Sequence, residues 1–199
     1  MQTDIEGGAA ELATTVATRI CHDLAGLLSA LSGTLELAAD DPEAAALAAE
    51  TAATLIARVQ LLRAAWGGGA GPLGGASIAG FAQGLPGIER LHLDATGVEG
   101  ELADVPARLA LCLLLAAIPG MPRGGGVRFA NAPRGGVQIT LTGVGAAWPE
   151  TMANCVASKA AWSDAFRPRA LAAPLACLLA EQAGWRISLA GATATATPL

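Results

Sequence analysis

An apolar stripe near the start of the chain limits what it can fold into. Leu12, Val16, Ile20, Leu24, Leu27, Leu31 and Leu35 recur at steps of four and three. That is the spacing of one face of a helix packed into a bundle. The stripe predicts a helix from about Gly8 to about Asp40. Asp40-Asp41-Pro42-Glu43 then forms a tight turn into a second helix, with Asp41 as N-cap, Pro42 at the first helical position and Glu43 in the first turn. The second helix runs to about Trp66 and carries Leu47, Thr51, Leu55, Val59 and Leu62 on one side. Two long amphipathic helices joined by a short turn make an antiparallel hairpin. A lone hairpin cannot cover stripes of this length, whereas two hairpins paired as a four-helix bundle can, so the pattern predicts a homodimer.

One turn of the first helix, Arg19-Ile20-Cys21-His22-Asp23-Leu24, carries the candidate chemistry. His22 lies two residues from both Ile20 and Leu24, so it points away from the stripe. Its neighbours on the helix surface are Thr15, Thr18, Arg19, Ala25, Gly26 and Ser29. All but Arg19 are small. The simple reading is a surface histidine. The sharper one is an imidazole left open to another protein on a face cleared of bulk. The chain has only two histidines. The other, His92, falls in an alternating stretch opposite Leu91 and Leu93 and is expected to face solvent.

At 199 residues the chain has room for one or two domains. Its net charge is −5 and Lys159 is its single lysine, which argues against a nucleic-acid partner. The four cysteines, Cys21, Cys112, Cys155 and Cys177, are scattered with no C-x-x-C pair. Buried free thiols in a reducing cytoplasm are expected, without a metal site. The N-terminus lacks the basic and apolar regions of a signal peptide. The longest apolar run, Leu109 to Ile118, is too short to span a bilayer.

Residues 1–66 thus form a hairpin unit. Gly67 to Gly75 (GGGAGPLGG) is a glycine-rich break, so 67–76 is expected to be a linker. No Lys-Ser/Thr follows it, which weakens any reading as a phosphate loop. Residues 77–199 change to an α+β pattern. Strands are expected at Arg90–Ala95, Val127–Asn131, Val137–Thr142, Trp185–Ala190 and Thr193–Thr197. Helices are expected at Pro106–Ile118, Pro149–Lys159 and Arg169–Ala183, the last closed by Gly184. The order predicts a sheet covered on one face.

The segment RICHDLAGLLSALSGTLEL around His22 resembles the H-box of two-component histidine kinases. It is more similar still to the ChpT family of alphaproteobacterial histidine phosphotransferases, which carry a similar R-x-C-H-D-L run. The resemblance extends over nearly the whole chain, and the His turn is its most specific part. It implies a dimeric helical hairpin presenting a phospho-accepting His22, followed by a degenerate histidine-kinase ATPase-like α/β sandwich. Arg167-Pro168 and Pro174 also resemble that family's C-terminal half. The chain differs in lacking the polar and aromatic residues often found beside that proline, which bears on the second domain's partner surface.

The second half carries its own signs of degeneracy. Cys112 to Gly125 fits the frame of the kinase ATP-site helix, but Cys112 and Ala116 stand where that helix has asparagines. Neither offers a hard oxygen to Mg²⁺. Gly143-Val144-Gly145 keeps the glycines of the next kinase element, with Leu141 in place of its adenine-reading Asp. Ala172 to Ala176 replaces G-x-G-L-A. The resemblance therefore implies phosphotransfer without ATP, no bound cofactor, and Mg²⁺ supplied by a partner receiver domain. The implied partners are receivers of a hybrid kinase and of response regulators. Thr18, Ala25, Gly26 and Ser29 form the docking face. Arg19 is a candidate for neutralising phosphoryl oxygens, and Asp23 for orienting the imidazole. Both are also readable as ordinary surface residues. A dimeric docking module that carries no phosphate is the alternative function.

Overall fold

The computed structural model describes the backbone of residues 2–199 and the side chains of residues 10–199. Helix α1 (Gln2–Leu37) and helix α2 (Pro42–Trp66) form the antiparallel hairpin. Asp41 sits in extended conformation as N-cap and accepts from the Glu43 N–H at 2.8 Å, with Pro42 at the start of the helix. The first helix ends at Leu37 rather than Asp40, because the backbone closes into a turn in which Asp40 and Asp41 both donate to the Leu37 carbonyl.

The stripe of α1 lies against α2, yet Leu12 through Leu31 reach only intermediate burial. Leu28, Leu35, Leu37, Leu47, Ile56 and Val59 are exposed. Burial on α2 is concentrated at Arg58, Leu61, Leu62, Ala64 and Ala65, near its C-terminal end. There α2 docks on the second half of the chain. Among the described residues, α2 is the one helix long and apolar enough, by length and composition only, to cross a membrane, which the run at Leu109–Ile118 did not suggest. Its packing against α1 and helix α4 (Asp104–Ala117) is that of a bundle helix.

The expected linker carries structure. Strand β1 (Leu73–Gly74) pairs with β3 (Glu101–Leu102), and helix α3 (Gly75–Ala82) starts within the glycine run. Ile78 and Ala82 of α3 are fully buried. A Cβ at Gly84, just past α3, would overlap the Ala57 carbonyl of α2, so glycine lets the hairpin approach this closely.

Strands β2 (Leu91–Gly97), β4 (Gly125–Ala132), β5 (Gly136–Thr142), β6 (Trp185–Ala190) and β7 (Thr193–Pro198) form one sheet in the order β2-β4-β5-β7-β6. The β2–β4 pair is parallel, joined through α4, and the others are antiparallel. Val127, Phe129, Val137, Ile139, Leu141, Ala194 and Ala196 turn inward toward α4 and helix α7 (Ala172–Gln182). Arg128, Gln138, Thr140, Thr193 and Thr195 line the other, polar face. The sheet is therefore covered on one side, as its alternation predicts. The expected helix Pro149–Lys159 is two helices, α5 (Glu150–Ala157) and α6 (Ala160–Asp164), because Ser158 adopts an extended backbone between them.

Candidate functional site

His22 is on the middle of α1 with its side chain 80% exposed. Thr18, Ala25, Gly26 and Ser29 are exposed on the same helix. Nothing lies within 4 Å of where a Gly26 Cβ would be, so the approach to His22 is sterically open.

Adjacent positions on a helix point about 100° apart, which left contact between His22 and Asp23 undecided. The structure brings them together: His22 Nδ1 lies 3.3 Å from Asp23 Oδ1. The other carboxylate oxygen accepts from Arg19 Nε at 2.8 Å. The Asp23 side chain is only 10% exposed, so the pair is held in a partly dry setting where charged hydrogen bonds are strong.

Arg19 is engaged within the protein: Nε donates to Asp23 and Nη1 donates to the Pro168 carbonyl at 2.7 Å. The guanidinium thus joins the histidine-bearing helix to the loop before α7. Cys21 departs from the expected burial: it is exposed beside His22, because its position on the helix faces away from α2. Cys112, Cys155 and Cys177 are buried as expected.

Two further residues complete the setting, Arg58 and Arg108, and the sequence patterns did not mark them. Arg58 of α2 is buried and donates through Nε to the Gly84 carbonyl. Burial lowers its pKa, the Asp23 charge opposes that shift, and the Arg19 charge adds to it. Arg108 of α4 donates to the Ala65 carbonyl at 3.0 Å and the Trp66 carbonyl at 3.2 Å. Together with Cys112 Sγ, 3.2 Å from the same Ala65 carbonyl, it covers the open carbonyl end of α2. A periodicity scan misses such residues because their partners are distant in sequence.

The positions resembling the kinase's nucleotide contacts are filled with core. Cys112, Ala116 and Leu141 are buried, and Cys112 is spent on α2. Among the described residues no group of three or more His, Cys, Asp or Glu is placed to hold a metal ion.

Residues 76–195, more than half of the chain, match the histidine phosphotransferase C-terminal domain. The chain belongs to the histidine phosphotransferase family. Membership supplies a phosphotransfer role in two-component signalling, with receiver domains as the kind of partner, and agrees with the resemblance to ChpT. A solved structure described as a 1.7 Å bacterial phosphotransferase is similar over 95% of this chain and 97% of its own, with a TM-score of 0.73 and 24% identity. That likeness supports the fold, hairpin included. No curated protein matches.

Proposed function

We propose that this chain is a phosphorelay intermediate that takes a phosphoryl group on His22 from a receiver aspartate and passes it to the aspartate of a second receiver. The observation that carries the reading is the contact of His22 Nδ1 with Asp23 on an otherwise open face. With the Nδ1 proton turned toward the carboxylate, the lone pair of Nε2 faces outward as the nucleophile. It attacks phosphorus. The N–P bond forms as the bond to the receiver's carboxylate oxygen breaks, and that carboxylate departs as the leaving group. The ring keeps its Nδ1 proton and gains positive charge, which the Asp23 carboxylate offsets. In-line placement and charge neutralisation are the main demands of such a step. Mg²⁺ belongs to the docked receiver, and the chain itself needs no cofactor. Thr18, Ala25, Gly26 and Ser29 accommodate the receiver's approach.

The protein works without ATP, since Ala116 and Leu141 offer a nucleotide nothing. It acts in the cytoplasm, as a homodimer in which a second hairpin covers exposed Leu28, Leu35, Ile56 and Val59. Sedimentation equilibrium tests the dimer, and a monomer at micromolar concentration removes it.

The deciding experiment is transfer from a prephosphorylated hybrid-kinase receiver to wild type and His22→Ala, with ATP alone as a third arm. Acid-labile label on wild type only, and none from ATP, is the expected result. Binding without label leaves a docking module. Label from ATP overturns the reading of the second domain.

A further inference from the structure

Between the hairpin and the α/β domain lies a cleft of about 470 Å³. Arg19 and Asp23 line it, and His22 does not. Its walls are mostly apolar, with Leu62 and Trp66 from α2 facing Leu115, Ile118 and Ala173. Three guanidinium side chains, Arg19, Arg58 and Arg169, line it against one carboxylate, Asp23. That carboxylate is already taken by Arg19 and His22.

Arg58 is the telling member. It is 7% exposed, and among the described residues it makes no ion pair; its one hydrogen bond goes from Nε to the Gly84 carbonyl. The nearby Asp23 charge favours this buried cation and the nearby Arg19 charge opposes it, so Arg58 is under-compensated, which is costly. Trp66 contributes its ring to the wall, while its buried Nε1 has no acceptor among the described residues. The cleft therefore gathers the positive charge of three guanidinium side chains within mostly apolar walls. Its size suits a small organic ligand.

We propose that this cleft binds a small organic anion, a carboxylate, sulfonate or phosphate group on a compact apolar body, with Arg58 and Arg169 at the anionic end. This goes beyond the phosphotransfer reading and stands independently of it. A Mg²⁺-nucleotide fits poorly. Among the described residues the only charged oxygens on the walls belong to Asp23, and by the resemblance Ala116 stands where the kinase helix has its Mg²⁺ ligand.

The test is fluorescence titration of the full chain with 8-anilinonaphthalene-1-sulfonate, beside neutral N-phenyl-1-naphthylamine and Mg²⁺-ATP. Thr151→Trp fills the cleft from α5, and Arg169→Gln, at an exposed position, removes one cation. Circular dichroism establishes that both variants fold. The exposed hairpin face also takes such dyes, so the component lost in Thr151→Trp is the one that counts. The expected result is a saturable site for the sulfonate that loses about tenfold or more in affinity in each variant. The neutral dye is expected to bind about tenfold more weakly than the sulfonate. Four outcomes overturn the proposal: no saturable component, no change in Thr151→Trp, equal binding of the neutral dye, or tighter binding of Mg²⁺-ATP than of the sulfonate.

Discussion

Arg19 donates to the carbonyl oxygen of Pro168 across 149 positions of sequence, at 2.7 Å, while its Nε holds Asp23 at 2.8 Å. The carboxylate beside His22 is thus positioned by a guanidinium that is itself anchored to the second domain. The two halves of the chain meet around the candidate site through this side chain, through the Arg58–Gly84 hydrogen bond and through the packing of α2 on α4.

A fork can serve two acceptors at fixed angles, and an ammonium cannot reproduce that geometry. Arg19→Lys is therefore expected to lower receiver-to-His22 transfer by about tenfold, close to Arg19→Gln, as the loss of one charged hydrogen bond implies. Rapid-quench transfer assays check this. A Lys variant with wild-type rate shows that charge alone suffices.

Asp23→Asn keeps the size of the side chain and removes its charge. The Nδ1 contact then loses the partner that offsets the developing positive ring. Transfer is expected to fall by about a hundredfold, at the low end of what a positioned acid–base partner contributes. Receiver binding is expected to stay unchanged by calorimetry. A variant that loses binding and rate together places Asp23 in the docking surface instead.

Legibility followed locality. Asp41-Pro42-Glu43 specifies its own cap, and Val137, Ile139 and Leu141 alternate strictly, so both features could be read from neighbouring residues. Helix α3 could not. Gly75 and Gly80 depress helix propensity there, and burial of Ile78 and Ala82 overrides them. The β1–β3 pair is two residues long and carries no period. At the site, the direction of His22 followed from its offset to the stripe. The partners of Arg19, Arg58 and Arg108 lie across folded space, so no spacing rule could reach them.

Gly26 and Gly84 make opposite tests of what a glycine is for. A Cβ at Gly26 meets nothing, so Gly26→Ala is expected to stabilise α1 by about 0.5–1 kcal/mol. Gly26→Leu is expected to fold and to block receiver docking by bulk. Gly84→Ala meets the α2 backbone and is expected to cost about 1–3 kcal/mol. Urea melts and receiver pull-downs separate the two effects. Normal docking by Gly26→Leu removes that face from the interface.

Arg108 covers two carbonyls at the C-terminal end of α2, where a cation also suits the helix dipole. Arg108→Ala is expected to cost about 1–2 kcal/mol, as one or two lost hydrogen bonds imply. The loss is expected to concentrate at the hairpin junction. Hydrogen exchange is expected to rise at 61–67 before it rises in the sheet. Uniform acceleration throughout the chain indicates global destabilisation instead.

The cysteines give a chemical and a pH-dependent test together. Cys21 is exposed, while Cys112, Cys155 and Cys177 are buried. Burial pushes the Cys112 thiol up to about 12, Cys155 to about 11 and Cys177 to about 12, from an ordinary value of 9.0. Native protein is therefore expected to titrate one thiol quickly with Ellman's reagent, and the remainder only on unfolding. The same shifts fix a sign for stability. Above pH 9 the unfolded thiols lose protons that the folded thiols keep, so the folded state binds more protons and stability falls as pH rises. The contribution is complete below about pH 9 and is lost progressively as pH rises toward 12. Urea midpoints between pH 8 and 11 are expected to decline, and the decline is expected to flatten in Cys112→Ala. Equal slopes in both proteins would place the alkaline loss on other groups.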